Sequence, residues 1–427
     1  MNNIDNIEEY YTKIVYDLID NKLSFIKFDY RYNYIFFHNG FNIQFDYNIN
    51  ADKNIKMIIK NLNALKINKS IKKLTIKNLN HLYSHKYIPK QLNNFNYYQN
   101  INHIYNKLFN IIKCSKSLIE LKLSEHEFIT SNNCLTNLLQ NKNLKILTFN
   151  KSLMNKKNIS CLSDYLTNNK SLIKLKLSNI IIFFVGDNPY HWDFYKNNLI
   201  INYKYVNNYD LTKYSYEILD ILNSLKNNDT LQMIDLSFNH INKIYNNFEF
   251  LNYNNTLQVL DLSNNQIEDI TNISNNLINN HSLTTLDLSN NIITDILTFY
   301  EVLKNNTTLQ ILDLSNNKIE NINKFSESLI FNNSLIELDL NKNKIKDVSK
   351  LFISLKTNKS IKNLNLKDNY INNTNLLIDL LQNREFNYFS IKHNWLKDNI
   401  TLFDFDKKEN VNIYPSLFIY DLYIDIR

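Results

Sequence analysis

An α/β solenoid, with a parallel β-sheet on its concave side and short helices on its convex side, is the fold class predicted for this chain, and three observations predict it. One phrase recurs six times at a spacing of 26 residues, starting at Leu231, Leu257, Leu283, Leu309, Leu335 and Ile361. Within each copy the apolar period changes from two, as in a strand, to about 3.6, as in a helix. Each copy then closes on an Asn-rich segment directly before the next. Self-similarity at such a period means one supersecondary unit stacked many times, because a single unit cannot bury its apolar side alone.

Taking one copy in order, the alternation over Val259, Leu260, Asp261, Leu262 and Ser263 predicts a short strand with Leu260 and Leu262 on one face. Asn265 follows, where a buried amide can end the strand by bonding the backbone of adjacent turns. Its equivalents are Asn239, Asn291, Asn317, Asn343 and Asn369. Ile296, Phe299, Val302 and Leu303, and again Val348, Leu351, Phe352 and Leu355, predict short amphipathic helices. The closing segments, such as 304–308 and 331–334, read as helix ends in which Asn adopts the left-handed conformation that Gly usually supplies. The chain has only two glycines in 427 residues.

The phrase L-x-x-L-x-L-x-x-N-x-I, carried by Leu257, Leu260, Leu262, Asn265 and Ile267, resembles the leucine-rich repeat family. The resemblance implies a horseshoe-like leucine-rich repeat solenoid of the ribonuclease-inhibitor kind. Weaker copies keep the three apolar positions at Leu118, Leu121 and Leu123, at Leu144, Leu147 and Phe149, and at Leu172, Leu175 and Leu177. They replace the Asn by His126, Ser152 and Ile180. Ile71, Leu74 and Ile76 make an earlier copy, Ile200 to Asn208 a degenerate one, and Phe386, Phe389, Ile391 and Asn394 an aromatic variant. The expected organisation is an N-terminal cap over 1–70, with a helix from Ile7 to Ile19 and aromatic strands near Phe25 to Phe28 and Phe41 to Tyr47. The array follows over 71–396, most regular over 231–396, with an aromatic insertion at about 181–215. A C-terminal cap covers 397–427, with a last strand near Leu417 to Leu422.

Asn supplies about a fifth of the chain, and every residue type with AT-rich codons is inflated, so base composition is the simplest cause of that texture. By composition alone it resembles repeat proteins of protists and large DNA viruses. Three cysteines, an odd number without a C-x-x-C pair, argue against a disulfide-capped extracellular repeat protein. No basic-then-apolar leader opens the chain, and the longest apolar run, Ile180 to Val185, is too short to span a bilayer. These features point to a cytoplasmic, reducing location, which would be the host cytoplasm for a viral protein.

Glycine scarcity weighs against an enzyme. Phosphate-cradling loops and nucleophile elbows need several glycines within a few residues, and Gly40 and Gly186 stand far apart. His81 and His85 share helical spacing but lack a third ligand, so no metal and no cofactor are expected. Lysines are dispersed and the pI is near 8.8, which argues against nucleic acid as the partner.

The residues between the leucines are expected to face away from the core. Asp235, Asp261, Asp287, Asp313 and Asp339 occupy one such position in successive copies, continued by Asn365 and Ser390. Lys122, Lys174 and Lys176 stand in earlier copies, and Lys367 and Lys392 lie one strand position further along. Residues 231–345 hold 13 Asp and Glu against 6 Lys, a net of −7 that leaves +14 on the rest of the chain. Such a bipolar face suits an oppositely patterned partner. The aspartates also have a purely structural use, as acceptors for neighbouring Ser and Asn. The insertion supplies Tyr190 and Trp192, a pair suited to anchoring an interface or to folding back over the core.

The function expected is therefore a non-catalytic scaffold that binds a protein on its concave strand face, with no small-molecule substrate and no membrane insertion. Two alternatives stand beside it: an adaptor of the ubiquitin-ligase type with residues 1–70 as docking module, and, as the family resemblance implies, a regulator or activator of a bound GTPase.

Overall fold

The computed structural model describes residues 25–29, 34–36, 42–44, 72–77, 106, 108–124, 134–183, 215–372 and 376–394. The chain divides into two compact units, Met1–Gln266 and Ile267–Arg427. The predicted helix at Ile7 to Ile19, the paired histidines, the degenerate copy at Ile200 and the C-terminal cap lie outside the described residues.

In the first unit, β1 (Phe25–Asp29), β2 (Tyr34–Phe36) and β3 (Asn42–Gln44) form an antiparallel edge. β1 then runs parallel to β4 (Lys73–Lys77), which opens the stack β5 (Glu120–Ser124), β6 (Ile146–Asn155), β7 (Lys174–Phe183), β8 (Met233–Asp235) and β9 (Val259–Asp261). All neighbours in that stack are parallel and in register. Between the strands lie helices Cys134–Leu138 and Lys156–Asn168 and 3₁₀ segments Ser215–Lys226 and Asn246–Asn252.

The ten-residue length of β6 and β7 follows from their sequence. Both take positive φ at Lys151 and Asn179, as the other copies do at the equivalent residue, but lack the Asn that follows it elsewhere, and pairing resumes from Ser152–Ile180 to Asn155–Phe183. Asn155 then opens the Lys156–Asn168 helix by a reciprocal cap with Asn158, whose backbone N–H and side chain each bond Asn155.

The second unit holds β10 (Thr285–Asp287), β11 (Ile311–Asp313), β12 (Glu337–Asp339), β13 (Asn363–Asn365) and β14 (Tyr388–Ser390), all parallel and paired in order. Helices Thr271–Leu277, Phe299–Asn305, Asn323–Ser328, Ser349–Thr357 and Leu377–Asn383 lie between the strands. The predicted strand–helix alternation is therefore observed copy by copy. The core is the leucine stack, with Leu236 and Leu262 in the first unit and Leu288 and Leu314 in the second all at 0 % exposure. Phe299, Phe325 and Phe352 close it from the helix side. A fully buried Leu or Phe contributes about 2 kcal/mol relative to an exposed one.

One expectation about Asn is corrected. The helix-closing Asn306 and Asn358 are extended, at φ −78 and −64 with ψ 129 and 126, and not left-handed. The left-handed residues stand just past the strands, at Asn264, Asn290, Asn316, Lys342, Asp368 and His393. What Asn306 supplies is its side chain. Its Nδ2 donates to the carbonyls of Leu277 and Asn280, both at 2.8 Å, and its Oδ1 accepts from the N–H of Thr308 and Leu309 at 3.0 and 2.9 Å. Asn332 repeats the pattern in the second unit, and Asn228 and Asn254 in the first. The second spine, past the strands, is the one expected: Asn317 donates to Leu288 O at 3.0 Å and accepts from Ile293 N–H at 3.0 Å. Turns without regular ladders thus have their backbone groups satisfied by amides, as burial requires.

Candidate functional site: the outward strand face

Leucines pointing inward leave the alternate residues of each strand in columns on the opposite face, about 4.8 Å apart from strand to strand. In the first unit Lys122 stands beside Thr148, Thr148 beside Lys176, Lys176 beside Asp235 and Asp235 beside Asp261. Lys174 lies in the adjoining column, opposite Met233. In the second unit Asp287, Asp313, Asp339, Asn365 and Ser390 stack in register. Lys367 and Lys392 follow two residues later on their chains, next to each other through the Asp368 N–H to Lys392 O bond at 2.9 Å. Tyr190 and Trp192 lie outside the described residues.

Each aspartate uses one oxygen to turn the chain. Oδ1 of Asp235, Asp261, Asp287, Asp313 and Asp339 accepts the N–H two residues on, at 2.8 to 3.0 Å. These Asx turns end the strands and aim the chain toward the Asn spine. The structural use of the column is therefore real, and one oxygen of each carboxylate is committed to it.

The other oxygens differ between the units. Asp235, with a side chain 7 % exposed, meets Lys176 Nζ at 3.4 Å. Asp339 Oδ2 accepts from Asn365 Nδ2 at 3.0 Å. Asp313, flanked by Asp287 and Asp339, is pushed up to about 8, first by burial and then by those two carboxylates. Burial likewise raises Asp339 above the ordinary carboxylate range, against the hydrogen bonds from Asn341 and Asn365.

The recurring Leu columns, the strand-ending Asn and the helix in each copy, seen in both units, decide the architecture. The chain carries leucine-rich repeats. A family model described as leucine-rich repeats, two copies, matches residues 255–305. Among solved structures the chain is similar to an internalin (inlF) from Listeria monocytogenes, at 16 % identity and TM-score 0.44, covering 77 % of this chain and 76 % of that one. It is also similar to TLR13, solved as a TLR13–ssRNA13 complex, at 18 % identity and TM-score 0.45, covering 81 % of this chain but only 39 % of that one. No curated protein sequence matches.

In these leucine-rich repeats, sequence reasoning missed the Asn three residues before each leading Leu: Asn141, Asn169, Asn228, Asn254, Asn280, Asn306, Asn332 and Asn358. The signal was present, since Asn recurs there at the repeat period, but Asn abundance hid it. In the last copy Arg384 takes this place, donating to the carbonyls of Leu355, Asn358 and Ile361 and standing 4.5 Å over the Phe386 ring.

Among the described residues, no group of three His, Cys, Asp or Glu stands together in a metal-holding arrangement, and no helix is long and apolar enough to cross a membrane.

The Lys176–Asp235 pair is testable. Lys176→Met keeps the stem and leaves the Asp235 carboxylate facing Asp261 without its cation, so stability is expected to fall by about 1 kcal/mol, less than for a fully buried pair because Lys176 is part-exposed. Thermal unfolding of the two proteins measures it; an unchanged midpoint would show the pair to be energetically silent.

Proposed function

We propose that this protein is a non-catalytic protein–protein interaction scaffold that binds a macromolecular partner on the outward strand face of its leucine-rich repeats. The observation that carries this reading is the column beside the aspartates: Thr285, Ile311, Glu337, Asn363 and Tyr388 stand in register, and no Asx turn or Asn spine of the fold uses their side chains. A rigid array of this kind binds with little ordering entropy to offset. The aspartates next to it, among them the raised Asp313 and Asp339, ionise more readily when a cation approaches, so a folded partner with a basic patch fits best. Three cysteines without a paired motif and the absence of catalytic loop signatures support an intracellular binding protein over an enzyme.

Affinity capture from the native cell with the full chain tests the reading. Ile311→Arg with Glu337→Arg should lose the captured partner, while Ile330→Arg with Ile353→Arg, at exposed positions on the helix side, should keep it. The opposite pattern would move the contact to the helices. The triple change of Asp287, Asp313 and Asp339 to Asn keeps the turn-forming oxygens and removes the charge, and it should weaken capture in a salt-dependent way.

A further inference from the structure

Beside the strand face of the second unit, the loops that leave the strands stack on one another. Lys318 N–H bonds Ile293 O, Lys344 N–H bonds Ile319 O and Tyr370 N–H bonds Ile345 O, all at 2.9 Å. Lys342 N–H bonds Lys367 O at 2.8 Å, and Asp368 N–H bonds Lys392 O at 2.9 Å. This ladder brings Lys318, Lys342, Lys344, Lys346, Lys367 and Lys392 onto one loop edge. The same loop positions in the preceding copy carry Asn290, Ile292 and Thr294, so the turn itself does not need lysine.

Two observations bear on this edge. Lys342 has φ 52, in the left-handed region that Lys151 also takes in the first unit, and a lysine there costs about 1 kcal/mol that the Asn at 290 and 316 largely avoids. The positive charge is also only partly neutralised. Glu320 meets Lys344 at 3.7 Å and Asp368 meets Lys367 at 3.6 Å, while Lys318, Lys346 and Lys392 make no ion pair with a described residue. Lys318 with Lys344, and Lys367 with Lys392, are thus stacked as like charges, an arrangement that folding alone does not reward.

We propose that this lysine edge binds an acidic peptide segment. From the copy holding Lys318 to that holding Lys392 the edge spans three repeat intervals, about 14 Å, which an extended chain of about five residues covers. Lysine ammoniums on flexible stems suit scattered carboxylates, whereas flat bidentate recognition would call for arginine. Glu320 and Asp368 interrupt the edge and would repel an unbroken phosphate backbone, and the edge offers one aromatic, Tyr370, where a single-strand nucleic-acid path uses several for base stacking. The edge lies beside the face that holds the Asp column, and Lys342 is near enough to Asp339 to favour its ionised form.

Fluorescence anisotropy on the full chain tests this with two labelled probes: a ten-residue peptide of alternating glutamate and serine, and a ten-nucleotide single-stranded RNA. The peptide should bind at 50 mM salt and bind at least about tenfold more weakly at 300 mM. Lys342→Glu with Lys344→Glu and Lys346→Glu should weaken it at least about tenfold, and Lys113→Glu with Lys116→Glu, at exposed positions of the first unit, less than about twofold. Should the triple variant unfold, Lys344→Gln with Lys346→Gln should still weaken binding about threefold. No peptide binding at 50 mM, equal loss in the control, or tighter binding of the RNA would each overturn the proposal.

Discussion

Replacing Asn306 by alanine is expected to lower the unfolding free energy of the repeats by about 2–4 kcal/mol. The N–H groups of Thr308 and Leu309 lose their acceptor, and the carbonyls of Leu277 and Asn280 each lose one of two donors, keeping the Asn280 N–H and the Thr308 Oγ1, both at 3.1 Å. Asn306 is 2 % exposed, so water reaches few of these groups, and each unmet buried group costs about 1–3 kcal/mol. The Thr308 side is part-buried and recovers some solvation, and both carbonyls keep a donor, so the two N–H groups carry most of the loss. Asn306→Asp should cost more, because it removes the donor and sets a carboxylate against two carbonyl oxygens. The neighbouring Asn305→Ala is the control: its amide bonds only Glu301 on the exposed helix surface, and the change should stay within about 0.5 kcal/mol. Urea unfolding followed by circular dichroism measures all three. A loss at position 306 no larger than at 305 would mean the spine is ornamental.

That comparison also explains what was legible in the sequence. Leucine spacing reported the strand face because burial acts on every copy alike, and Leu260, Leu286, Leu312 and Leu338 are each at 0 % exposure. The Asn past each strand was legible for the same reason: a polar residue at a fixed place in an apolar phrase has to bond something. The Asn before each leading Leu was masked by its setting. In segments such as 305–306 and 332–333 two asparagines adjoin, and only one of each pair is buried; composition cannot tell which, and the left-handed role given to them belongs instead to the residue after each strand. The stacking of the Asp column was legible in the alternation, yet its carboxylate-to-N–H turn is set by backbone geometry that alternation alone does not specify. The Lys edge was read only in part, through Lys367 and Lys392, because Lys318, Lys342, Lys344 and Lys346 come together through loop stacking and not through strand periodicity.

Asp313→Asn is expected to stabilise the repeats by about 2–5 kcal/mol at pH 8, the lower end allowing for relaxation of the crowded carboxylates, and by nothing below pH 4. In the folded chain the Asp313 carboxyl is enclosed between Asp287 and Asp339 and titrates near 8, whereas in the unfolded chain it titrates near 3.8. Between those values the folded protein holds a proton that the unfolded chain has released. Stability therefore falls as pH rises from about 4 to about 8, and above 8 the whole penalty of an ionised, crowded carboxylate is present. Asparagine carries no charge and keeps Oδ1 for the Ser315 N–H, which Asp313 accepts at 2.8 Å, so the turn survives. Its amide can donate to a flanking carboxylate as Asn365 does to Asp339 at 3.0 Å. Position 365 is in this sense a natural instance of the substitution, two places along the same column. Denaturation midpoints at pH 4, 6 and 8 should converge for the two proteins at pH 4 and separate steadily upward. A constant offset at all three would assign the gain to packing, and no offset at pH 8 would show that the three carboxylates are better solvated than their spacing implies. If the separation is found, retaining an ionisable carboxyl at a position where asparagine is more stable points to a requirement outside folding, and the salt dependence of partner capture by the same variants connects the two.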